Sequence, residues 1–189
     1  MSDSDKRKHE HLEYANASQM DMTRYREEFN YEPLFAAHPA PGSFPVKKTP
    51  FLGKELRAPV WISSMTGGTG QARHINQNLA RAAKEFGFGL GLGSCRPLIE
   101  EKECGFEQDF YLRPILGDEV PFLANLGLAQ IEKILDEGKL SRVEEMIEAL
   151  QADGLVVHIN PLQEWFQEEG DRFKRSPIEV LDELLESAS

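Results

Sequence analysis

The sequence predicts an α/β protein built around a mainly parallel sheet, and three observations support that prediction. Strand-like and helix-like segments alternate four times between residues 51 and 189. The predicted strands are apolar throughout rather than alternately polar, which is typical of strands covered on both faces. Polar residues cluster directly after the predicted strands, which is where active sites lie in parallel α/β folds.

Length, charge and cysteine content limit the possible functions. The 189 residues suffice for one ordinary domain with its own core. A formal net charge of −11 argues against nonspecific nucleic-acid binding, which requires a basic surface. No apolar run approaches the ~18 residues that cross a membrane. Two cysteines and a polar N-terminus without signal-peptide features favour a reducing cytoplasm.

The first 50 residues are predicted to form a basic helix and a proline-rich arm ahead of the α/β domain. Residues 4–30 are expected to be helical in part, and 32–46 form the proline-rich loop. Arg7 and Lys8 would share a helix face with His11. This combination suits a phosphate or diphosphate, with a solvated basic patch as the alternative.

The first βα unit contains a glycine-rich turn. Residues 51–65 are predicted to form strand, turn and strand, with Pro59 opening the second strand. The stretch TGGTG (66–70) then leads into an amphipathic helix over 71–86, which ends at Gly87. Backbone N–H groups at such a turn can hold a phosphate or the polar edge of a ring cofactor, although an ordinary tight turn is equally compatible.

The second βα unit begins with a strand over 88–94 whose alternate residues are glycines. That bare face could admit a flat ligand, but relief of crowding inside a barrel is the favoured interpretation. Arg96 follows as a further donor for an anion. Cys95 is interpreted as structural because no sequence feature indicates a lowered pKa. A weak helix is predicted over 100–112.

The remaining elements complete two more βα units. Capping boxes at Ser141/Glu144 and Ser176/Glu179 predict where two of the helices begin. The predicted elements are a strand over 120–127, helices over 129–137 and 141–151, a strand over 154–159 and a last helix from Ser176.

The end of the fourth strand is the most polar of these sites. His158, Asn160, Gln163 and Glu164 fall within seven residues, more polar groups than a helix cap requires. Mg²⁺ commonly takes one or two protein carboxylates together with water and phosphate oxygens. Glu164 therefore suits a magnesium ion beside a diphosphate, and the amides could orient a substrate without adding charge.

Polar groups at four strand ends favour a (β/α)8 TIM barrel over an open doubly wound sheet. A complete barrel needs eight strands and roughly 250 residues, so the four βα units here amount to half of one. The polar clusters are Ser63–Gly70, Ser94–Arg96, Asn125 and His158–Glu164.

The ordered motifs resemble the type 2 isopentenyl-diphosphate isomerase family, the FMN-dependent class. The motifs are RKHEH, MTGG, GSxR, NLG and HINPLQExxQxEGD, and the resemblance runs from about Arg7 to the end of the chain. It implies that residues 51–189 are the N-terminal half of an FMN-binding TIM barrel. It also implies Mg²⁺, NADPH or NADH as reductant, and interconversion of isopentenyl and dimethylallyl diphosphate.

The resemblance also implies residue roles. His158 and Gln163 would be catalytic, and Glu164 would bind Mg²⁺. The implied substrate-binding residues are Arg7, Lys8, His11, Arg96, Asn160 and Gln163, and the implied FMN-binding residues are Met65, Thr66, Gly67, Ser94 and Asn125.

The sequence departs from the family pattern at Cys95, where the family usually has Gln, and at Glu168, where it usually has Pro. The family's second half, which supplies a flavin-contacting lysine and an FMN phosphate loop, does not match any part of this sequence. One alternative is therefore an inactive fragment, or a subunit that needs a C-terminal half-barrel or a second copy. A homo-oligomer is the related expectation. An FMN-dependent hydroxy-acid oxidase is less favoured, because the basic arm and the Gln163–Glu164 pair suit a diphosphate and Mg²⁺ better.

Overall fold

The computed structural model divides the chain into two compact units, Met1–Lys47 and Lys48–Ser189. The structure describes residues 13, 14, 17, 48–64, 72–100, 107–167 and 170–188. The predicted helical and proline-rich segments of the arm lie almost wholly outside these residues. The second unit contains all of the architecture described below.

A four-stranded parallel sheet forms the centre of the second unit. Its strands follow one another in chain order, so each βα crossover leads to the neighbouring strand. This agrees with the predicted parallel sheet, and four strands in this order would also suit part of a barrel. The strands are β3 (Trp61–Ile62), β4 (Gly89–Gly91), β5 (Phe122–Gly127) and β6 (Gly154–His158).

A separate antiparallel hairpin precedes the sheet. β1 (Thr49–Phe51) pairs with β2 (Lys54–Leu56) across a two-residue turn. Leu52 and Gly53 have φ of 49° and 73°, as a tight hairpin turn of this hand requires. The expected second strand is therefore wrong in position: it splits into β2 and β3, and Pro59 lies in the bend between them.

Helices follow the strands, as expected. Of the predicted helix over 100–112, residues 107–110 are helical (α3) and 111–112 are not, while 101–106 lie outside the described residues. Two further short helices, α2 and α4, lie on either side of it. Proline stands at the second position of α2 and of α4, where its missing N–H is tolerated. The helices are α1 (Ala72–Phe86), α2 (Arg96–Glu100), α3 (Glu107–Phe110), α4 (Arg113–Leu116), α5 (Leu128–Asp136), α6 (Ser141–Leu150), α7 (Pro161–Phe166) and α8 (Pro177–Ser187).

One of the two predicted capping boxes is present. The Ser176 side chain accepts the Glu179 N–H, and the Glu179 carboxylate accepts the Ser176 N–H. The box at Ser141 is wrong, since the N-cap is Leu140 and no side chain caps the helix. The chain already turns before Ser141, as the hydrogen bond from Val143 N to Leu140 O shows.

The two faces of the parallel sheet have different neighbours. One face, which includes Leu92, Phe122 and Leu126, packs into the helices to form the core. On the other face, a Cβ added at Gly89 would overlap the indole of Trp61. The strand glycines therefore make room for Trp61, so relief of crowding is the correct interpretation and the flat-ligand alternative is wrong for Gly89.

A charged cluster ties the hairpin to the start of β6. Asp153 accepts hydrogen bonds from Lys54 Nζ at 2.6 Å and from Phe122 N at 2.8 Å, and it pairs with Arg113 Nη2 at 3.0 Å. Arg113, almost fully buried, also donates to Gln151 O and lies over the Phe122 ring. This cluster lies at the amino ends of β5 and β6, whereas the predicted site lies at their carboxyl ends.

Candidate functional site

The strand register places several predicted site residues on one face of the sheet. Asn125 pairs with Val156, and Gly127 pairs with His158. Because paired residues point to the same side of a sheet, Asn125 and His158 share a face. It is the face of Trp61 and the strand glycines, opposite the helix-covered core. The site predicted at the carboxyl ends of the strands is therefore assembled in part.

Asn125 contributes a buried acceptor that is not satisfied by the described residues. Its side chain is 6% exposed, and Nδ2 donates to Leu92 O at 3.1 Å. Oδ1 is buried without a hydrogen-bond partner. An unpaired buried oxygen of this kind costs about 1–3 kcal/mol, and a ligand N–H would relieve that cost. Asn125 therefore fits the edge of a ring that carries N–H donors.

The residues after β4 have distinct environments. Ser94 is exposed, and its Oγ accepts a long hydrogen bond of 3.4 Å from Arg96 N. Cys95 is fully buried, and its N–H donates to Asn125 O at 2.7 Å. Burial raises the pKa of the Cys95 thiol to about 12, partly offset by a backbone hydrogen bond from Asn125. A thiol in this state is a poor nucleophile, which agrees with a structural role.

Arg96 is held by two carboxylates. Its Nε donates to Glu100 at 2.8 Å, and its Nη1 donates to Asp171 at 3.0 Å. The hydrogen bond to Glu100 is the largest cause of the raised pKa of Arg96, and Asp171 adds to it. The guanidinium is half-exposed, so it faces solvent as well as its partners. Arg96 is therefore an oriented cation rather than a free one.

The residues after β6 converge on a short turn. His158 is exposed at the strand end, and Asn160 and Glu164 are half-buried. Glu164 begins to form helix α7 by donating its N–H to Asn160 O at 3.2 Å. Its carboxylate Oε2 accepts the Asp171 N–H at 2.9 Å. The loop after α7 thus folds back over the predicted metal ligand.

Asp171 is a site residue that sequence reasoning missed. Its Oδ2 accepts from Arg96 Nη1 and from Gln130 Nε2, the latter at 2.7 Å. A Cβ added at Gly170 would overlap the backbone oxygen of Glu164. The available signal was the Gly-Asp pair that ends the motif HINPLQExxQxEGD, since glycine before a polar residue often indicates a close backbone approach.

No group of three or more His, Cys, Asp or Glu side chains in the described part of the chain could hold a metal ion. A magnesium site with one carboxylate, water and phosphate oxygens needs no such group. Glu164 fits that type of site, because Oε1 accepts no hydrogen bond from the described residues. In the same described ranges, no helix is both long and apolar enough to cross a membrane.

Among the described residues, two of the clefts between helices are lined by neither Asn125 nor His158. The larger, about 570 Å³, lies among α2, α3 and α6 and includes Tyr111 and Met146. The second, about 480 Å³, includes Arg96 and Gln130. Only the second cleft therefore shares residues with the polar cluster around Asp171.

Several predicted site residues cannot be placed. Of the predicted set, Arg7, Lys8, His11, Met65, Thr66 and Gly67 lie outside the described residues, as does the side chain of Gln163. The structure brings together Ser94, Arg96 and Asn125 around the ends of β4 and β5. It places Asn160 and Glu164 after β6, where the Glu164 carboxylate accepts the Asp171 N–H. His158 stands alone at its strand end among the described side chains.

No protein-family model matches the chain. Several curated proteins have related sequences. The chain is 46% identical over 140 residues to a protein of Pseudescherichia vulneris named isopentenyl-diphosphate delta-isomerase, covering 73% of this chain and 38% of that protein. A protein of Vibrio parahaemolyticus with the same name is 43% identical over 137 residues, covering 72% of this chain and 39% of that protein. A third, from Pelodictyon phaeoclathratiforme, is 43% identical over 133 residues, covering 70% of this chain and 36% of that protein. The chain thus spans under two fifths of the length of these relatives.

Proposed function

We propose that this chain is part of an isopentenyl-diphosphate isomerase that interconverts isopentenyl and dimethylallyl diphosphate. The observation that carries the proposal is the 46% identity over 140 residues to a protein of that name. The reaction moves a double bond by adding a proton at one carbon and removing a proton from another. The substrate class is therefore an isoprenyl diphosphate, a dianion or trianion that needs both cationic side chains and a metal ion.

The proposed isomerase is of the type 2 class, with FMN reduced by NADPH or NADH. When bound, reduced FMN supplies acid–base chemistry at its ring without net redox change. Asn125 would hold the ring edge, because its buried Oδ1 lacks a partner among the described residues. Ser94 lies three residues past β4 and is exposed, and it would line the same ring. Met65, Thr66 and Gly67 complete the proposed FMN set.

The diphosphate would bind to cationic side chains. Arg96 presents an oriented guanidinium, and Arg7, Lys8 and His11 are proposed to supply further donors. Glu164 would bind Mg²⁺ through Oε1, because Oε2 accepts the Asp171 N–H. His158 and Asn160 stand at the strand end where the hydrocarbon part of the substrate would lie. Gln163 is proposed to act with His158 at the reacting carbons.

A (β/α)8 barrel is the proposed architecture of the active protein, with this chain supplying four of the eight βα units. Strand β6 is half-exposed, unlike β4 and β5, and so presents an edge to which a further strand could pair. A split subunit completed by a C-terminal half-barrel, or by a second copy, is therefore the second candidate. An unpaired parallel edge is otherwise an aggregation hazard.

Complementation tests the proposal. We expect the isolated chain to bind FMN weakly and to show little isomerase activity, because the flavin-contacting lysine and the FMN phosphate loop implied by the resemblance would be missing. Co-expression with the C-terminal part of the Pseudescherichia vulneris relative should give a yellow protein. This complex should convert isopentenyl diphosphate when Mg²⁺ and NADPH are supplied, as followed by NMR of the product.

The variant Glu164→Gln should abolish that turnover, and Glu148→Gln on the exposed side of α6 should not. A complex that binds FMN stoichiometrically and leaves isopentenyl diphosphate unchanged would disprove the proposed activity. Full turnover by the isolated chain would instead disprove the need for a second half.

A further inference from the structure

We infer that Asp171 is a positioning residue, which aligns Arg96 and Glu164 so that one binds a diphosphate and the other binds its divalent cation. The inference rests on the proposed function and adds to it a residue that touches neither ligand. Three sets of contacts support it, one at the end of each of three neighbouring strands.

The Asp171 carboxylate joins the ends of β4 and β5. Its Oδ2 accepts from Arg96 Nη1 at 3.0 Å, and Arg96 follows β4. The same oxygen accepts from Gln130 Nε2 at 2.7 Å, and Gln130 lies in the first turn of α5, directly after β5. Gln130 therefore fixes the carboxylate, and the carboxylate in turn fixes the guanidinium.

The Asp171 backbone joins the same cluster to the end of β6. Its N–H donates to Glu164 Oε2 at 2.9 Å. The Arg172 guanidinium donates to Glu164 O at 3.0 Å. The loop therefore contacts both the side chain and the backbone of Glu164 in α7. Glu132, buried in α5, accepts the backbone N–H groups of Lys174 and Arg175 and anchors the chain just beyond.

These contacts leave one polar atom of each ligand-binding group available. Arg96 uses Nε for Glu100 and Nη1 for Asp171, and no described residue accepts from its Nη2. Glu164 uses Oε2 for Asp171, and no described residue donates to its Oε1. Long side chains lose rotamer entropy when they are fixed. Here that ordering is completed before the ligand arrives, which is how preorganisation raises affinity.

The test measures binding of inorganic pyrophosphate in the presence of Mg²⁺ by calorimetry. Asp171→Ala removes the acceptor for both Gln130 and Arg96, and it should weaken pyrophosphate affinity about tenfold. Asp171→Asn keeps an oxygen acceptor and should stay within about threefold of the wild type. Asp136→Ala is the matched control, because Asp136 is a similarly exposed carboxylate that pairs with Lys174 and Arg175. Its affinity should equal that of the wild type.

A spectroscopic measurement separates positioning from a loss of stability. In the ligand-free protein, the Arg96 Nη1–H resonance should be protected from solvent exchange in the wild type and in Asp171→Asn, and it should lose protection in Asp171→Ala. The Nε–H, which donates to Glu100, should stay protected in all three proteins. In the Arg96→Gln background, Asp171→Ala should weaken pyrophosphate binding less than it does in the wild type. If Asp171→Ala does not fold, Asp171→Ser, whose side chain is shorter, replaces it with the same expectations.

The outcomes distinguish the two proposals. A wild-type protein that does not bind pyrophosphate would overturn the proposed function and this inference together. Pyrophosphate binding by the wild type and equally by a folded Asp171→Ala variant would overturn the inference alone. An equal loss of pyrophosphate affinity in Asp136→Ala and Asp171→Ala would also overturn the inference. The loss would then come from removing any nearby carboxylate rather than from the contacts of Asp171.

Discussion

Cys95 lies between the end of β4 and Asn125, and its burial determines its chemistry. Because burial raises its pKa to about 12 from an ordinary value of 9.0, the thiolate fraction at pH 8 is about a thousandfold lower than in the unfolded chain. We expect thiol-labelling of native Cys95 to be slower than labelling in urea by at least that factor. The measurement uses a Cys104→Ser background, which leaves a single thiol. Rapid labelling of the native protein would contradict the prediction.

Asp153 provides a prediction about stability and pH. Burial alone would raise the pKa of Asp153, but hydrogen bonds from Lys54, Phe122 N and Arg113 outweigh it, so the pKa is lowered. A lowered pKa stabilises the fold above the unfolded value of about 3.9 and loses that effect as pH falls through the folded value. Asp153→Asn should therefore lower the free energy of unfolding by about 2 kcal/mol at pH 7.

The same comparison at low pH tests the cause. Below about pH 4 the difference between wild type and Asp153→Asn should shrink, because the unfolded wild-type chain then binds a proton at Asp153 that the folded chain, with its lowered pKa, binds only at lower pH. Urea unfolding at pH 7 and pH 3 measures it. Glu55→Gln is the control, since Glu55 forms an exposed pair with Lys48 and should change stability by less than about 0.5 kcal/mol at either pH. A constant difference across this range would show that the charge of Asp153 is not responsible.

At the scale of single elements, the two predicted capping boxes form a matched pair. Ser176→Ala removes a side-chain acceptor at the N-cap of α8 and should lower the free energy of unfolding by about 1 kcal/mol. Ser141→Ala, within α6, removes no cap and should change it by less than about 0.3 kcal/mol. Equal costs in urea unfolding would mean that the cap of α8 contributes no stability.

The elements that could be predicted from the sequence are those whose signal is local. β5 and β6 are continuous apolar runs, and α1, α5 and α6 have clear helical periodicity, so each lies within about two residues of its predicted bounds. The short helix α4 was not predicted. It begins at Arg113, whose guanidinium is held by Gln151 O from 38 residues away. No local pattern reports such a contact.

At the scale of the whole molecule, the exposed edge of the sheet predicts association. Val156 lies on the face of β6 opposite the packed Leu155 and Val157, beside Asn125. We expect the isolated chain to associate with rising concentration in sedimentation velocity. Val156→Lys should reduce this association, because a lysine on an edge strand opposes pairing.

Glu148→Lys, on the exposed side of α6, is the control and should leave the association unchanged. Val156→Lys adds one positive charge and Glu148→Lys adds two, so salt dependence is recorded for both variants. A wild-type chain that stays monomeric at all concentrations would contradict the expected association.

The candidate site could be predicted only where its residues lie close together in sequence. His158, Asn160 and Glu164 were found because one strand end carries them all. Asp171 was missed because its role depends on Arg96 and Gln130, which lie 75 and 41 residues earlier in the chain. Asp171 contacts residues that follow β4, β5 and β6, and these residues come close together only in the folded sheet.

The ion pair between Lys54 and Asp153 also has a consequence for synthesis of the chain. The two residues are 99 positions apart, so ribosomes adding roughly 5–20 residues per second complete Asp153 about 5–20 s after Lys54. During that interval the β1–β2 hairpin lacks this ion pair, and the other long-range contact of Lys54, with Val120 O at 3.4 Å, needs 66 further residues. The hairpin is therefore expected to join the sheet late, once translation has supplied the carboxylate that holds it.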